Sequence, residues 1–336
     1  MKRIFILILA LWVCPQVFAQ NLSWNEFQPI VKTSLRGLSP VSDKICWASG
    51  SGGTWLKTTD GGKTWETGKI AGLDSVDFRS IHALDAQTAV VASAGQPAVI
   101  YRTTDGGKSW NKVHQEGTEA FFDAIFFEDK NSGYVLGDPV DGKWMILETK
   151  DGGKSWKLMD SLPDAIPGEA AFAASSSSMI FGSNGLGFAT GGSVARWNFY
   201  SKEKQTWDHY ALPEMAQGES AKGVFAVTEA GNRLILLGGD YTLLDSREGN
   251  AVLLRDESNQ IPKQSPMGYR SGVAFWKKKD LLIAVGPSGS DSSEDLGETW
   301  KAFSEIGYHA VKVSLDGKSI WASGSGGRLA QLKILE

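Results

Sequence analysis

Ionisable side chains recur at related places along this 336-residue sequence, each near the start of a mainly apolar stretch. Arginines that converge on one point can bind a carboxylate through paired hydrogen bonds. Two carboxyl groups that flank a sugar linkage, such as Asp123 and Glu169, could instead hydrolyse it as an acid and base pair. The recurring positions are Arg36, Arg79, Asp123, Glu169, Lys222, Arg270 and His309.

A short phrase also recurs, and it indicates what positions these residues. It reads TTDGGKTW at 58–65, TTDGGKSW at 103–110, TKDGGKSW at 149–156 and SEDLGETW at 293–300. Aspartate accepts backbone hydrogen bonds in tight turns, and glycine supplies their positive φ angles. A calcium loop would need acidic residues where this phrase has Gly and Lys. We therefore expect structural turns, held by Asp60, Asp105, Asp151 and Asp295 and by Trp65, Trp110, Trp156 and Trp300.

The spacing of the phrase predicts the fold. Its aspartates lie 45 and 46 residues apart in the first three copies, and degraded copies at 200–207 and 251–263 continue the series. A repeat of this length, rich in apolar strands and tight turns, is typical of the four-stranded blade of a β-propeller. The sequence therefore predicts an all-β, seven-bladed β-propeller.

The two chain ends supply the seventh blade. Residues 308–334 provide three strands, and the sequence then stops before a fourth. Ser23 and Trp24 match the Ser/Thr-Trp pair that begins the outermost strand of other blades. We expect the N-terminal strand to complete the C-terminal blade and close the ring, because closure removes exposed sheet edges. Residues 20–336 are thus predicted to be a single propeller domain.

The predicted fold gathers the recurring ionisable residues at one place. The first strand of each propeller blade is the innermost, so its first residues should line the mouth of the central channel. Loops between the second and third strands open at the same end, away from the aspartate turns. We expect these loops to add Arg196, Asp240, Tyr241, Ser288 and Asp291 to a ligand-binding mouth.

The four phrases together match the Asp-box of bacterial-neuraminidase-type repeats, which occurs in sialidases, in other glycosidases and in photosystem II stability/assembly factors. The mature chain most resembles the last family. The resemblance extends through DFRSIHALD (77–85), GDPVDG (137–142), GEAAFAAS (168–175), GYRSGVA (268–274) and AVGPSGSD (284–291). It implies a chaperone-like role in assembly. The sequence has no G-x-G-x-x-G motif after a strand and no haem or iron–sulfur cysteines, so we expect no cofactor.

Two functions remain open from the sequence. The favoured interpretation is a non-enzymatic propeller whose mouth binds a protein or peptide segment, or a small anionic ligand. The alternative is a sialidase-like or other glycoside hydrolase that uses the same mouth, with Asp123 and Glu169 as catalytic candidates. Against an enzyme, the early Arg-Ile-Pro segment of sialidases is absent, and no two residues can be assigned as their Tyr–Glu pair. Histidines show no metal-ligand spacing.

The N-terminus predicts export. Residues 1–19 have a basic start, a short apolar run and a small-residue end, as secretory signal peptides do. The mature chain would keep one cysteine, Cys46, and so no internal disulfide. The formal net charge of −4 argues against nucleic acid as a partner. We expect a periplasmic or secreted monomer without a membrane span.

Overall fold

Seven antiparallel sheets make up the described part of the chain, and their strands follow the order of the sequence repeats. The computed structural model describes residues 21–183, 185–255 and 258–335. The predicted signal peptide, 1–19, lies outside the described residues. The seven sheets confirm the predicted all-β, seven-bladed propeller.

Each blade has four strands, named here from the innermost outwards. Blade 1 has β2 (Leu35–Pro40), β3 (Cys46–Gly50), β4 (Thr54–Thr58) and β5 (Glu66–Lys69). Blade 2 has β6 (Ser80–Ala83), β7 (Ala89–Ala92), β8 (Val99–Thr103) and β9 (Asn111–Gln115). Blade 3 has β10 (Phe122–Phe127), β11 (Gly133–Val140), β12 (Lys143–Thr149) and β13 (Lys157–Leu158). Blade 4 has β15 (Met179–Gly182), β16 (Gly185–Ala189), β18 (Arg196–Ser201) and β19 (Thr206–Ala211).

The remaining blades complete the ring. Blade 5 has β20 (Glu219–Ala230), β21 (Arg233–Asp240), β22 (Ala251–Arg255) and β23 (Ser258–Gln260), and the two-residue strands β14 (Glu169–Ala170) and β17 (Gly191–Gly192) extend its sheet. Blade 6 has β24 (Gly272–Trp276), β25 (Leu281–Gly286), β26 (Gly289–Ser293) and β27 (Lys301–Ser304). Blade 7 has β28 (Ala310–Val313), β29 (Ile320–Ser323), β30 (Leu329–Leu335) and β1 (Asn21–Glu26). Short 3-10 turns span Lys277–Lys279 and Ser325–Gly327.

The N-terminal strand closes the ring as the sequence predicts. Strand β1 pairs antiparallel with β30, with Trp24 opposite Leu332. The Trp24 ring packs against Phe303 and Tyr308 of the blade 6–7 region, at centroid distances of 5.8 and 5.1 Å. Its indole N–H donates to Ser290 Oγ at 3.0 Å. Strand β1 therefore covers the outer edge of β30, and the first strand of the described residues joins the last three in one sheet.

The Asp-boxes are hydrogen-bonded turns between the third and fourth strands. Asp105 accepts from Thr103 Oγ1 at 2.8 Å, from the Ser109 amide at 2.9 Å and from Ser109 Oγ at 2.6 Å. The amide of Gly107, which has φ of +91°, donates to Thr103 Oγ1 at 3.0 Å. These donors lower the pKa of Asp105 to about 2, with the Ser109 hydroxyl the largest cause. The turns at Asp60, Asp151 and Asp295 have the same bonds.

The tryptophan of each Asp-box packs against the preceding blade. Trp110 of blade 2 lies 6.3 Å from both Trp47 and Trp55 of blade 1. Trp65 of blade 1 meets Trp321 of blade 7 edge-on at 6.2 Å. Trp156 joins the apolar cluster of blade 2, and Trp300 joins that of blade 5. The phrase therefore holds neighbouring blades together.

We expect Thr103→Ala to destabilise the protein without changing ligand binding. Thr103 is fully buried, and its loss leaves the buried Gly107 amide without its acceptor. An unpaired buried donor costs about 1–3 kcal/mol. Chemical unfolding of this variant, compared with Thr104→Ala at the exposed neighbouring position, measures the effect. Loss of ligand affinity in a stably folded Thr103→Ala would contradict the structural assignment.

Blade 4 departs from the predicted alignment. The sequence comparison places Glu169 at the start of this blade's innermost strand, but that strand is β15, which begins ten residues later at Met179. Glu169 instead lies in β14, which pairs with β17 and through it with β20. The residues between, 171–178, belong to no strand. The extra length takes the chain into the centre of the ring.

No helix among the described residues has the length and apolar character needed to cross a membrane.

Candidate functional site

Residues 171–178 fill the centre of the ring, and we call them the plug. Their serines are almost fully buried: Ser175 and Ser178 are 0 % exposed. Ser175 Oγ donates to the carbonyl of Ser271 in the blade 6 region, and the Val227 amide of blade 5 donates to Ser177 O at 2.8 Å. Lys312 Nζ of blade 7 donates to Ser176 O at 2.8 Å. The plug gives the mouth of the channel a floor.

A cavity of about 460 Å³ lies above the plug, at the end of the ring opposite the Asp-boxes. This volume is within the usual range for ligand sites. Its polar wall comes from the first strands and the adjoining loops, and its apolar wall includes ring side chains from the plug and from blade 5. The polar wall contains Arg36, Arg79, Asp123, Asp138 and His309, and the apolar wall contains Phe172, Phe225, Tyr241, Leu244 and Tyr269.

Arg36 and Arg79 give the mouth its positive charge. Arg36 Nη1 donates to Ala174 O of the plug at 3.1 Å, which within the described part of the chain is its one hydrogen bond. Burial lowers the pKa of Arg36, and the neighbouring Arg79 lowers it further. Arg79 Nε donates to Asp77 at 2.8 Å, and over a third of its side chain is exposed. Both guanidinium groups keep N–H donors that an anion could accept.

His309 lines the mouth as a neutral side chain. Its Nε2 lies 3.1 Å from Ser34 Oγ and 2.9 Å from Ser325 Oγ. Burial lowers the pKa of His309 to about 3, and the nearby positive charges, Arg36 first among them, contribute. The imidazole therefore adds hydrogen-bonding capacity but no charge near neutral pH.

Among the described residues, the two acidic side chains that line the cavity, Asp123 and Asp138, form no ion pair with either arginine, whereas Asp77, outside the lining, pairs with Arg79. Asp123 is 0 % exposed, and among the described residues neither of its carboxyl oxygens has a hydrogen-bond partner. Burial and then the charge of Asp138 raise the pKa of Asp123 well above its ordinary value, while Arg79 opposes the shift. Burial also raises the pKa of Asp138, whose Oδ1 accepts the Ala171 amide at 3.0 Å. Such shifts favour uncharged carboxyl groups.

Glu169 forms a buried ion pair with Arg196 and is not part of the cavity that Asp123 lines. Its Oε1 accepts from Arg196 Nε at 2.9 Å and from Thr190 Oγ1 at 2.7 Å, and Arg196 Nη2 bonds to Oε2. Glu169 and Arg196 are 5 % and 6 % exposed, and neither lines the mouth cavity. The structure therefore does not bring Asp123 and Glu169 together across a substrate-sized space.

Arg270 is likewise inside the protein. It is 1 % exposed, its Nε donates to Asp291 Oδ2 at 2.6 Å, and Asp291 is 0 % exposed. Its Nη1 donates to Tyr269 O at 2.9 Å and to Ser288 Oγ at 3.2 Å. Of the arginines predicted at the mouth, Arg36 and Arg79 therefore line the cavity, while Arg270 pairs with the buried Asp291 and contacts the half-buried Ser288.

The paired burial of Arg270 predicts that it contributes to stability. Arg270→Ala should lower the free energy of unfolding by about 3–5 kcal/mol, because it leaves the Asp291 carboxylate buried without its partner. Chemical unfolding measures this loss. The double variant Arg270→Ala with Asp291→Ala should lose less than the sum of the two single changes. A normally stable Arg270→Ala that no longer binds an anion would show that this arginine serves the ligand instead.

Lys222 and Asp240 lie elsewhere on the same end. They line a separate depression of about 330 Å³. Lys222 pairs with Glu219, and Asp240 accepts from the Thr242 amide and hydroxyl at 2.8 and 2.6 Å. The mouth cavity therefore takes five of the predicted residues: Arg36, Arg79, Asp123, Tyr241 and His309.

Sequence reasoning missed the plug and most of the apolar wall. Phe172 and Tyr269 fall within the family-like stretches 168–175 and 268–274, and no repeat or motif distinguishes Phe225. One signal was present. The distance from Asp151 to Lys202, its counterpart in the next repeat, is 51 residues, which exceeds the 45 and 46 of the earlier repeats. Additional residues before an innermost strand have no place in a regular four-stranded sheet, so they must lie outside it.

Comparisons with known proteins agree with this architecture. Residues 17–118 match the family model described as Photosynthesis system II assembly factor YCF48. A solved structure described as YCF48 bound to D1 peptide is 15 % identical, with a TM-score of 0.66 over 93 % of this chain and 95 % of that one. YCF48 from Cyanidioschyzon merolae is 16 % identical, with a TM-score of 0.63 over 93 % of this chain and 98 % of that one. No curated protein sequence matches this chain. The chain is thus an Asp-box propeller that resembles the photosystem II assembly factors.

Proposed function

We propose that this propeller is a non-enzymatic binding protein that receives an anionic peptide segment of a partner at its mouth and acts in that partner's assembly. The observation that carries the proposal is the pair Arg36 and Arg79 in one cavity, both with donors left over. Guanidinium groups match the geometry of carboxylates, and a partly desolvated site strengthens the contact.

The shape of the mouth favours a peptide over a small anion alone. Because the plug forms the floor of the cavity, a ligand can enter only from the open side, and its inner end then lies against the plug. Aromatic side chains line the wall beside the arginines, and Phe172 stacks on Phe225 at a centroid distance of 3.8 Å. A peptide that ends in a carboxylate, or carries an acidic side chain, offers both the anion and the apolar atoms that this cavity can contact.

The similar proteins support the same class of partner. One structural neighbour is described as bound to a D1 peptide, and the family model that matches the N-terminal third is that of an assembly factor. We extend to this chain the general function, the binding of a peptide during assembly.

Calorimetric titration tests this function directly. The purified protein would be titrated with a synthetic peptide that has a free carboxyl end, and with the same peptide capped as an amide. We expect the free carboxylate to bind more tightly, because the amide cannot accept paired hydrogen bonds from the two arginines. Equal affinity for both peptides, or no binding of either, would contradict the proposal.

A hydrolase would behave differently in a second assay. Glycoside hydrolysis needs two carboxyl groups, and Glu169 is held by Arg196 while Asp123 is buried. We therefore expect no turnover of aryl sialosides or of other aryl glycosides. Turnover that disappears in Asp123→Asn would replace the binding function with a catalytic one.

We also propose that residues 1–19 direct export and that the mature protein works outside the cytoplasm as a monomer. The composition of this segment supports a signal peptide. N-terminal sequencing of the protein recovered from fractionated cells should find a chain that starts near Gln20 in the periplasm or the medium. Sedimentation should give the mass of one chain. An uncleaved chain in the cytoplasm would refute export.

A further inference from the structure

The loop that joins β21 to β22 in blade 5 presents large apolar side chains to solvent. Tyr241, Leu243 and Leu244 are 47 %, 58 % and 38 % exposed. The loop spans ten residues and is the longest connection between second and third strands in the seven blades as described. Met267, on the neighbouring connection to blade 6, is 46 % exposed. We call these four residues the apolar rim.

Hydrogen bonds hold the rim in its exposed position. The Leu243 amide donates to Asp240 O at 3.1 Å, and the Tyr269 amide donates to Leu244 O at 2.9 Å. The Met267 amide donates to Asp291 Oδ1 at 3.2 Å. These bonds fix the backbone of the loop and of its neighbour at the positions from which the apolar side chains project. Grouped apolar side chains fixed in water are typical of binding surfaces.

The rim is continuous with the mouth. Tyr241 and Leu244 line the mouth cavity as well as the outer surface. The Tyr241 ring meets Phe225 edge-on at a centroid distance of 6.1 Å, and Phe225 stacks on Phe172 of the plug. A row of aromatic rings therefore leads from the exposed loop to the floor of the cavity, beside Arg36.

We propose that the apolar rim binds large apolar side chains of the same peptide whose anionic group lies at Arg36 and Arg79. The inference rests on the proposed function and narrows it, because the partner is then a segment with both an anionic group and Leu-, Met- or Phe-like residues nearby in sequence. The arginines fix the anionic end. The apolar rim favours peptides that contain apolar residues, because a peptide with only acidic and polar residues has no apolar side chain to bury there.

Paired peptides and paired variants test this inference. One synthetic peptide has a free carboxyl end and several central leucines, and its mate has serine in place of each leucine. Leu243→Ser should lower affinity for the leucine peptide about tenfold, because a large apolar contact is lost, and should leave the serine peptide unaffected. Leu315→Ser is the matched control, since Leu315 is 60 % exposed but lies between β28 and β29, at the Asp-box end. It should bind both peptides as the unmodified protein does.

The outcomes distinguish binding at the apolar rim from binding at Arg36 and Arg79. If Arg36→Ala weakens both peptides and Leu243→Ser weakens neither, the proposed function stands and the inference fails. If Leu243→Ser weakens the leucine peptide and Arg36→Ala has no effect, the rim binds without the anion, and both proposals fail. Self-association of the protein that Leu243→Ser abolishes would make a second copy the occupant, and adsorption to lipid vesicles that it abolishes would make a membrane the occupant. Either result would overturn the inference.

Discussion

Deletion of residues 21–26 should remove the cooperative unfolding of the protein. The deletion uncovers the outer edge of β30 and leaves Phe303 and Tyr308 without Trp24. Trp24 is half-buried, so the loss of its side chain should cost less than the about 3–5 kcal/mol of a tryptophan in a core, and the deletion adds the loss of a whole strand pairing. Thermal and chemical unfolding, followed together by circular dichroism and tryptophan fluorescence, should show a broad transition and aggregation through the open edge.

A peptide added in trans provides the control for this deletion. A synthetic peptide of residues 21–29 should pair with β30 and restore solubility, whereas a scrambled peptide of the same composition should not. Trp24→Ala in the full-length chain measures how much of the lost stability comes from the tryptophan side chain alone. A truncated protein as stable as the full chain would show that the blade 7 pairing does not hold the ring together.

Arg36→Ala and Arg79→Ala should each weaken binding of a carboxylate peptide by about 30-fold or more. Truncating one partner of a buried charged contact costs about 2–5 kcal/mol, part of it from the anion left unpaired. Each variant also removes a contact within the protein, from Arg36 to Ala174 of the plug and from Arg79 to Asp77, so the free energy of unfolding of both is measured beside the affinity. Arg36→Lys should recover only part of the affinity, because an ammonium cannot form the paired contact.

The control for the arginine variants lies at the other end of the ring. Lys108 is an exposed cation within an Asp-box, so Lys108→Ala removes one positive charge without touching the mouth. It should leave peptide affinity unchanged. Equal losses in Lys108→Ala and Arg79→Ala would mean that overall charge, not the geometry of the mouth, drives the binding.

The architecture could be predicted from the sequence because the repeat encodes it locally. An Asp-box such as 103–110 contains its own donors, acceptors and positive-φ glycines, so its turn forms with little help from distant residues. The chain-end strand was predictable for a related reason. Ser23 and Trp24 repeat the pair that begins the fourth strand of other blades.

The site was only partly predictable, because the partner of a charged side chain depends on three-dimensional packing. Arg36 and Arg270 occupy equivalent positions in the repeat, yet one reaches the cavity and the other turns to Asp291. Similarly, Glu169 meets Arg196 because the chain before β15 is long enough to leave the sheet. Periodicity gives the position of a residue in its blade, but not which neighbouring blade or loop supplies its counter-charge.

A crystal structure of the protein with a bound carboxylate peptide tests the central claim most directly. We expect the carboxylate to lie between the guanidinium groups of Arg36 and Arg79, above the plug, with the peptide chain leaving across Tyr241 and Leu243. A peptide bound at the Asp-box end, or one held in the mouth without contact to either arginine, would contradict it.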